Sequence, residues 1–150
     1  YFTKMKNLTK KIYKEILSHN SVLIIGSTDS GKTHYTLNEL VPFLKIKKLN
    51  TFYFPNCNEL LNIPNNTDVA IIDETETLMD KNFLEQRHPN DKPYYSVEYL
   101  EKVKIWHNKL KNIKVPSVFI LTRNRKDEIE YLIDNIKTID WGTAVKCFVF

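Results

Sequence analysis

Apolar positions along the chain fall into two alternating rhythms. From Lys4 to His19, Met5, Leu8, Ile12 and Ile16 recur three or four apart, with Leu17 beside them. That spacing predicts an amphipathic helix docked by one face. Lys4, Lys6, Lys10, Lys11 and Lys14 cover its other faces, as a solvated surface or, alternatively, a nucleic-acid-binding one. Val22-Leu23-Ile24-Ile25 is an unbroken aliphatic run, so Ser21 to Ile25 predicts a strand buried on both sides, as in a parallel sheet. A helix is expected from Lys32 to about Leu44, with Leu37, Leu40, Val41 and Leu44 as its apolar stripe. Pro42 lacks an N–H, so the helix should kink or stop early there. Thr51 to Phe54, closed by Pro55, is a second strand, and Val69 to Ile72 a third.

Between these lies the polar stretch Asn56 to Asp68, with a small apolar patch at Leu60, Leu61 and Ile63. Thr75 to Tyr95 is harder to assign: Phe83 and Leu84 suit a short helix, and Arg87 to Tyr95 is a polar loop bounded by prolines. Ser96 can cap a helix running to about Asn112, with Leu100, Val103, His107 and Leu110 on one face. Val115 to Thr122, with Pro116 near its start, is the fourth strand. Asn124 or Asp127 can cap a helix carrying Ile129, Leu132, Ile133 and Ile136; Trp141-Gly142 turns the chain into a fifth strand, Ala144 to Phe150. Strands alternating with helices predict an α/β fold, a three-layer αβα sandwich around a five-stranded parallel sheet. The whole of 1–150 is expected to be one domain, with the helix of 1–20 packed on it. Ligands of such folds bind beyond the C-terminal ends of the strands. The polar clusters at Gly26 to Thr33, Asp73-Glu74 and Thr122-Arg123-Asn124 all fall there.

Composition changes this picture little. A hydrophobic fraction of 42% and a charged fraction of 27% suit a water-soluble globular chain. No apolar run approaches the length of a membrane span, so no membrane partner is expected. Cys57 and Cys147 lie far apart without metal-binding spacing, which suits free thiols in a reducing, cytoplasmic setting. The net charge of +4 says little about nucleic acid, because nearly all the cations are lysines. The sequence opens Tyr-Phe-Thr-Lys with its first Met at Met5, as either an artificially added start or a piece of something longer would.

Gly26-Ser27-Thr28-Asp29-Ser30-Gly31-Lys32-Thr33 fits G-x-x-x-x-G-K-[ST], the phosphate-binding P-loop or Walker A motif. Its chemistry needs a strand delivering the chain to a tight turn and a helix starting at the lysine, so that successive backbone N–H groups converge on a phosphate. Only 3 glycines occur in the chain, and two stand at the two required positions. With average glycine usage, a chance match in this length is on the order of one in a few hundred. Lys32 would reach the β and γ phosphates and Thr33 would offer its hydroxyl to Mg²⁺. His34, next in line, belongs to the same nucleotide-binding stretch, although facing solvent is its plainer role.

Val69-Ala70-Ile71-Ile72-Asp73-Glu74 looks like a Walker B motif, an apolar strand ending in an acid. Asp73 would hold Mg²⁺, and Glu74, pointing differently, would orient or deprotonate an attacking water. With both motifs in this order, the chain resembles the P-loop ATPases that carry an additional strand and a catalytic glutamate: AAA+ ATPases, RecA-like motors and viral replication helicases. The resemblance implies the sheet order 5-1-4-3-2, ATP and Mg²⁺ as cofactors, and a polar sensor at the tip of the fourth strand. Phe119-Ile120-Leu121-Thr122-Arg123-Asn124 is similar to that segment, with Asn124 or Thr122 as the sensor; a helix-capping asparagine is the alternative. Arg123 and Arg125 are placed to act as arginine fingers in cis and Arg87 in trans, although a surface cation is the plainer role of each. The helical lid usual in AAA+ proteins does not follow the last strand, so the chain reads as a minimal core.

The resemblance implies ATP hydrolysis by attack of water, with Lys32, Glu74 and Asn124 as the catalytic groups. The coupled partner it implies is DNA or RNA, in replication, helicase or packaging work. It also implies a homo-oligomeric ring or a larger parent protein. Two alternatives stand beside it. One is a P-loop kinase phosphorylating a nucleotide or polynucleotide, poorly supported because an arginine-rich lid is missing. The other is a nucleotide-responsive binding module with little turnover.

Overall fold

A computed structural model describes residues 2–56, 62–75, 97–135 and 145–150. The elements in chain order are α1 (Phe2–Leu17), β1 (Ser21–Gly26), α2 (Lys32–Tyr35), a π-helical turn (Thr36–Leu40), α3 (Val41–Ile46), β2 (Thr51–Phe54), β3 (Val69–Ile72), α4 (Val97–Lys111), β4 (Ser117–Thr122), α5 (Lys126–Asn135) and β5 (Val145–Val149). The segments expected at Phe83-Leu84, Arg87 to Tyr95 and Trp141-Gly142 lie outside the described residues, as do the side chains of Leu100, Val103, His107 and Leu132.

The five strands form one parallel sheet in the order β2-β3-β4-β1-β5. This is the order the resemblance implied, read from the other edge. β1 pairs with β4 from Val22↔Val118 to Gly26↔Thr122, and with β5 from Ser21↔Val145 to Ile25↔Val149. Successive strand residues point to opposite faces, and each face has its own apolar layer. Leu23, Ile25, Ala70, Ile72, Phe119 and Leu121 pack with Leu110 of α4 and Ile129 of α5. Val22, Ile24, Val69, Ile71, Val118 and Ile120 pack with Met5, Ile12 and Ile16 of α1 and with Tyr35, Leu40 and Leu44. Every residue of β1 is buried, as its unbroken aliphatic run predicts. Full burial of one such side chain is worth about 1.5–3 kcal/mol.

Several boundaries shift by one or two residues, and two of the differences have clear local reasons. β4 begins at Ser117 rather than Val115, because Pro116 has no N–H and the Ser117 N–H donates to the Ser21 hydroxyl at 3.0 Å. The helix after the loop neither kinks to a stop nor ends at Leu44. It widens over Thr36–Leu40, where the Val41 N–H reaches back to the Thr36 carbonyl, and it restarts at Val41. Pro42 then falls within the first turn of α3, where a missing N–H costs little. Two side chains satisfy carbonyls of this stretch: the Thr36 hydroxyl donates to Lys32 O at 2.7 Å and the Asn38 amide to His34 O at 2.9 Å. A π turn takes more residues per revolution, which swings Leu37 off the expected stripe. It is 37% exposed, while Tyr35 and Thr36 are buried.

α1 is anchored to α2 by more than apolar contact. The Thr9 hydroxyl donates to Met5 O at 2.9 Å and shares a hydrogen bond with the Tyr35 hydroxyl at 2.6 Å, both buried. Burial pushes the Tyr35 phenol up to about 12, with the Thr9 contact working against the shift and the charge of Glu39 adding to it. Tyr35→Phe should lose about 1 kcal/mol at pH 7, read from the urea midpoint. The sign of its pH dependence follows. An unfolded tyrosine ionises near 10 while the folded one holds its proton to about 12. The unfolded chain therefore sheds the proton first, and stability falls as pH rises between those values. Wild type should lose more stability than Tyr35→Phe over that window.

Candidate functional site

The loop between β1 and α2 is shaped by its backbone. Asp29 (φ 61°) and Gly31 (φ 87°) both adopt left-handed conformations, which asparagine, aspartate and glycine tolerate best. The Ser30 N–H closes on Ser27 O at 3.2 Å, and the Tyr35 N–H on Gly31 O at 2.7 Å starts the helix. The loop is tied to both flanking strands: the Arg123 N–H donates to Gly26 O at 2.9 Å, and the Phe150 N–H to Ile25 O at 2.7 Å. The Phe150 ring lies 5.4 Å from that of Tyr35, behind the loop.

Lys32 is only 6% exposed, and its ammonium donates across the loop to Ser27 O at 3.0 Å. Ser27, Thr28 and Asp29 are exposed at the loop's crest. The Ser30 hydroxyl is buried without a hydrogen-bond partner among the described residues. His34 is exposed and its Nδ1 lies 3.2 Å from the Asn38 amide nitrogen, on the outer side of the helix.

Asp73 meets this loop because of strand parity. Val69 and Ile71 face the layer that contains the helix after the loop, so Asp73, two positions on, faces it too. Its N–H donates to Phe54 O at 2.9 Å, which extends the β2–β3 ladder by one step and fixes its backbone. Its carboxylate, 8% exposed, accepts the Thr33 hydroxyl at 3.1 Å on Oδ2 and the Glu74 N–H at 2.8 Å on Oδ1. The two motifs, forty residues apart in sequence, are thus in direct contact. Glu74 is exposed and left-handed (φ 50°), a conformation costing an ordinary residue roughly 1–2 kcal/mol. Its side chain therefore leaves the sheet in a direction different from that of Asp73.

At the tip of β4, the Asn124 Oδ1 accepts the Thr28 N–H of the loop at 2.8 Å. Thr122 is half-buried beside Gly26 in register. The Arg123 guanidinium turns back to Thr122 O at 2.8 Å, and Arg125 pairs with Asp127 at 2.6 Å on the surface. Arg87 lies outside the described residues. The structure therefore gathers Gly26 to Thr33, Asp73, Glu74 and Asn124 at one end of the sheet, and gives the two described arginines local partners.

Two residues escaped sequence reasoning. The Tyr53 hydroxyl, on β2, donates to Asp73 Oδ2 at 2.9 Å. Burial first, then the neighbouring Asp73 and Glu74, push that phenol up to about 12, so it remains a donor through the physiological range. Thr75, fully buried, sends both its N–H and its hydroxyl to Ile120 O at 3.2 Å, pinning the chain that leaves Glu74 onto β4. The Tyr53 contact follows from the strand register, in which Tyr53 pairs with Ile71, whose face leads on to Asp73; no local sequence pattern signals it.

The Thr33 hydroxyl and the Asp73 carboxylate form a small, hard, all-oxygen donor set. It suits Mg²⁺, which takes one or two protein carboxylates and completes its shell with phosphate oxygens and water. Among the described residues there is no cluster of three or more His, Cys, Asp or Glu that would hold a metal by protein ligands alone. Cys147 is half-buried and its thiol is pushed up to about 11 by burial, which disfavours the nucleophilic thiolate. No helix among the described residues is long and apolar enough to cross a membrane.

No family model and no curated protein matches the chain. Among solved structures it is similar to the Aeropyrum pernix ORC2 protein, in ADPNP-ADP complexes, at 15% identity and a TM-score of 0.47. That similarity covers 98% of this chain and 47% of the other, so the chain spans about half its length. So distant a likeness says nothing about activity.

Gly26 is where the loop is least tolerant. An added Cβ would meet Ser30 Oγ at 2.8 Å, Phe150 O at 3.1 Å and Phe150 Cβ at 3.2 Å. Two of these atoms belong to a residue whose own N–H is bonded to β1 and cannot easily retreat. Gly26→Ala should lose about 1–3 kcal/mol by overpacking, measured as a lower urea midpoint at unchanged slope.

Proposed function

We propose that the chain is one P-loop core domain, with α1 as an integral part, that binds ATP with Mg²⁺ and hydrolyses it in work on nucleic acid. The observation that carries this reading is the 3.1 Å contact between the Thr33 hydroxyl and the Asp73 carboxylate. It joins the end of the Gly26 to Thr33 loop to a strand-terminal acid, a hydroxyl and a carboxylate that together could hold a divalent cation. Thr33 and Asp73 would hold Mg²⁺, which would supply positive charge against the phosphates.

The chain's own groups divide the remaining tasks. The loop N–H groups receive phosphate oxygens, and Lys32, whose stem is already buried, presents its ammonium to them. Glu74 accepts the proton of the attacking water. Asn124, already bonded to the Thr28 N–H at 2.8 Å, couples the tip of β4 to the loop and so senses what the loop holds.

Charge distribution supports nucleic acid as the partner. Residues 1–50 carry 9 lysines against 3 acids, a net of +6, and the whole chain stands at +4, so the remainder carries −2. Part of the excess is exposed on the α1 to α3 layer, and exposed Lys102, Lys104, Lys111 and Lys114 make α4 and its exit basic as well. Lys4, Lys6, Lys10, Lys11 and Lys14 are exposed on α1, and Lys45, Lys47 and Lys48 at the end of α3. The edge-to-face contact of Tyr13 with Phe43 at 5.4 Å joins the two helices. Clustered exposed lysines are the electrostatic footprint expected of a phosphate-backbone contact.

Glu74→Gln should retain nucleotide binding and lose turnover by about 100-fold or more, in an ATPase assay run with and without single-stranded DNA, double-stranded DNA and RNA. Normal hydrolysis by that variant would remove Glu74 from the chemistry. Phosphate transfer to a nucleotide by wild type would make the protein a kinase. Replacing Lys6, Lys10 and Lys14 together by Glu should weaken nucleic-acid binding and reduce its salt dependence by up to about one unit of slope per lost phosphate contact.

A further inference from the structure

We infer that Tyr53 is a positioning residue for Asp73, a fixed donor from a neighbouring strand that sets how the carboxylate meets a divalent cation. The inference rests on the site being one for a Mg²⁺-nucleotide.

The backbone of Asp73 is already held by its bond to Phe54 O, so what remains free is the rotation of the carboxylate. Among the described residues three donors act on it: the Glu74 N–H on Oδ1, and the Thr33 and Tyr53 hydroxyls together on Oδ2. They are not equivalent. The Glu74 N–H is on the next residue and moves with the turn. Thr33 belongs to the loop, and its oxygen is one of the two that would face a cation. Tyr53 alone comes from an element outside both motifs. Its ring is partly buried in the apolar layer between the sheet and α1 to α3, and only two side-chain torsions separate its hydroxyl from the β2 backbone. With Thr33 turning an oxygen lone pair toward a cation, Tyr53 would remain as the donor from outside the loop that holds Oδ2.

Partners of this kind typically change metal affinity by 10–100-fold when removed. The effect should depend on the cation. Mg²⁺ demands near-ideal octahedral geometry, while Ca²⁺ accepts irregular shells, so a carboxylate free to swing harms Mg²⁺ more.

Tyr53→Phe keeps the ring and deletes the hydroxyl. A fluorescent ATP analogue titrated with MgCl₂ should show the half-saturating Mg²⁺ concentration raised by roughly tenfold, with a smaller rise for CaCl₂. Binding of the analogue in EDTA should match wild type, which establishes that the loop itself is intact. A Mg²⁺ midpoint within twofold of wild type, or equal shifts for the two cations, would overturn the role of Tyr53 and leave the nucleotide site standing. Wild type that binds the analogue without any divalent-cation dependence would instead remove the site on which the inference is built.

Discussion

The carboxylate of Asp73 is where the constraints of this molecule meet. It is nearly buried, and a buried carboxylate is tolerable only with hydrogen bonds and charge partners arranged around it. Thr33, Tyr53 and the Glu74 N–H supply those bonds, and each comes from a different structural device: a helix start, an edge strand, and a left-handed turn. For all three to reach one side chain, β2 must pair with β3 in its observed register and the loop must leave β1 on the correct face. A one-residue slip of β3 would send Asp73 to the opposite apolar layer. The sheet thus specifies the site through parity more than through proximity.

The loop is organised by a related logic. Lys32 is bonded to Ser27 O, the Thr28 N–H to Asn124, and the Ser30 N–H to Ser27 O. Groups that a phosphate would use are therefore held in position by internal contacts. A loop so held has little conformational freedom left to lose on binding, which favours affinity through pre-organisation. Exchange of the Asn124–Thr28 contact for a ligand contact would at the same time release the tip of β4. The left-handed conformation of Glu74 fits the same pattern of local strain kept where chemistry is expected, and Thr75, bonded twice to Ile120 O, is what keeps the chain there.

Much of this was legible in the residues, for identifiable reasons. β2 and β3 were read to the residue because Pro55 and Asp73 punctuate uniform apolar runs. The loop was legible because its glycines and lysine stand at fixed spacing. The order of the strands was not written in any local pattern and came from the resemblance. What sequence reasoning lost were contacts made across long separations. The bond from the Thr28 N–H to Asn124 spans 96 residues, and that from Tyr53 to Asp73 spans 20. No periodicity encodes either. Leu37 was lost differently, because one extra residue in the turn before Pro42 rotates everything upstream of it.

That same turn links the first helix to the loop. Pro42 could have been accommodated by ending the helix, which would have left Leu44 and the α1 contacts without a partner surface. Widening the turn instead keeps Leu40 and Leu44 on the sheet while placing Tyr35 under α1, where it meets Thr9. Tyr35 also stacks obliquely on Phe150 behind the loop and stands two residues from Thr33. Displacement of α1 would therefore disturb a buried hydrogen bond and an aromatic contact before it disturbed any loop residue. The lysines of α1 face away from that bond, so the helix that carries them also braces the helix after the Gly26 to Thr33 loop. The lysine-bearing helix and the helix after the loop are joined through the Thr9–Tyr35 hydrogen bond, the Tyr13–Phe43 contact and a shared apolar layer.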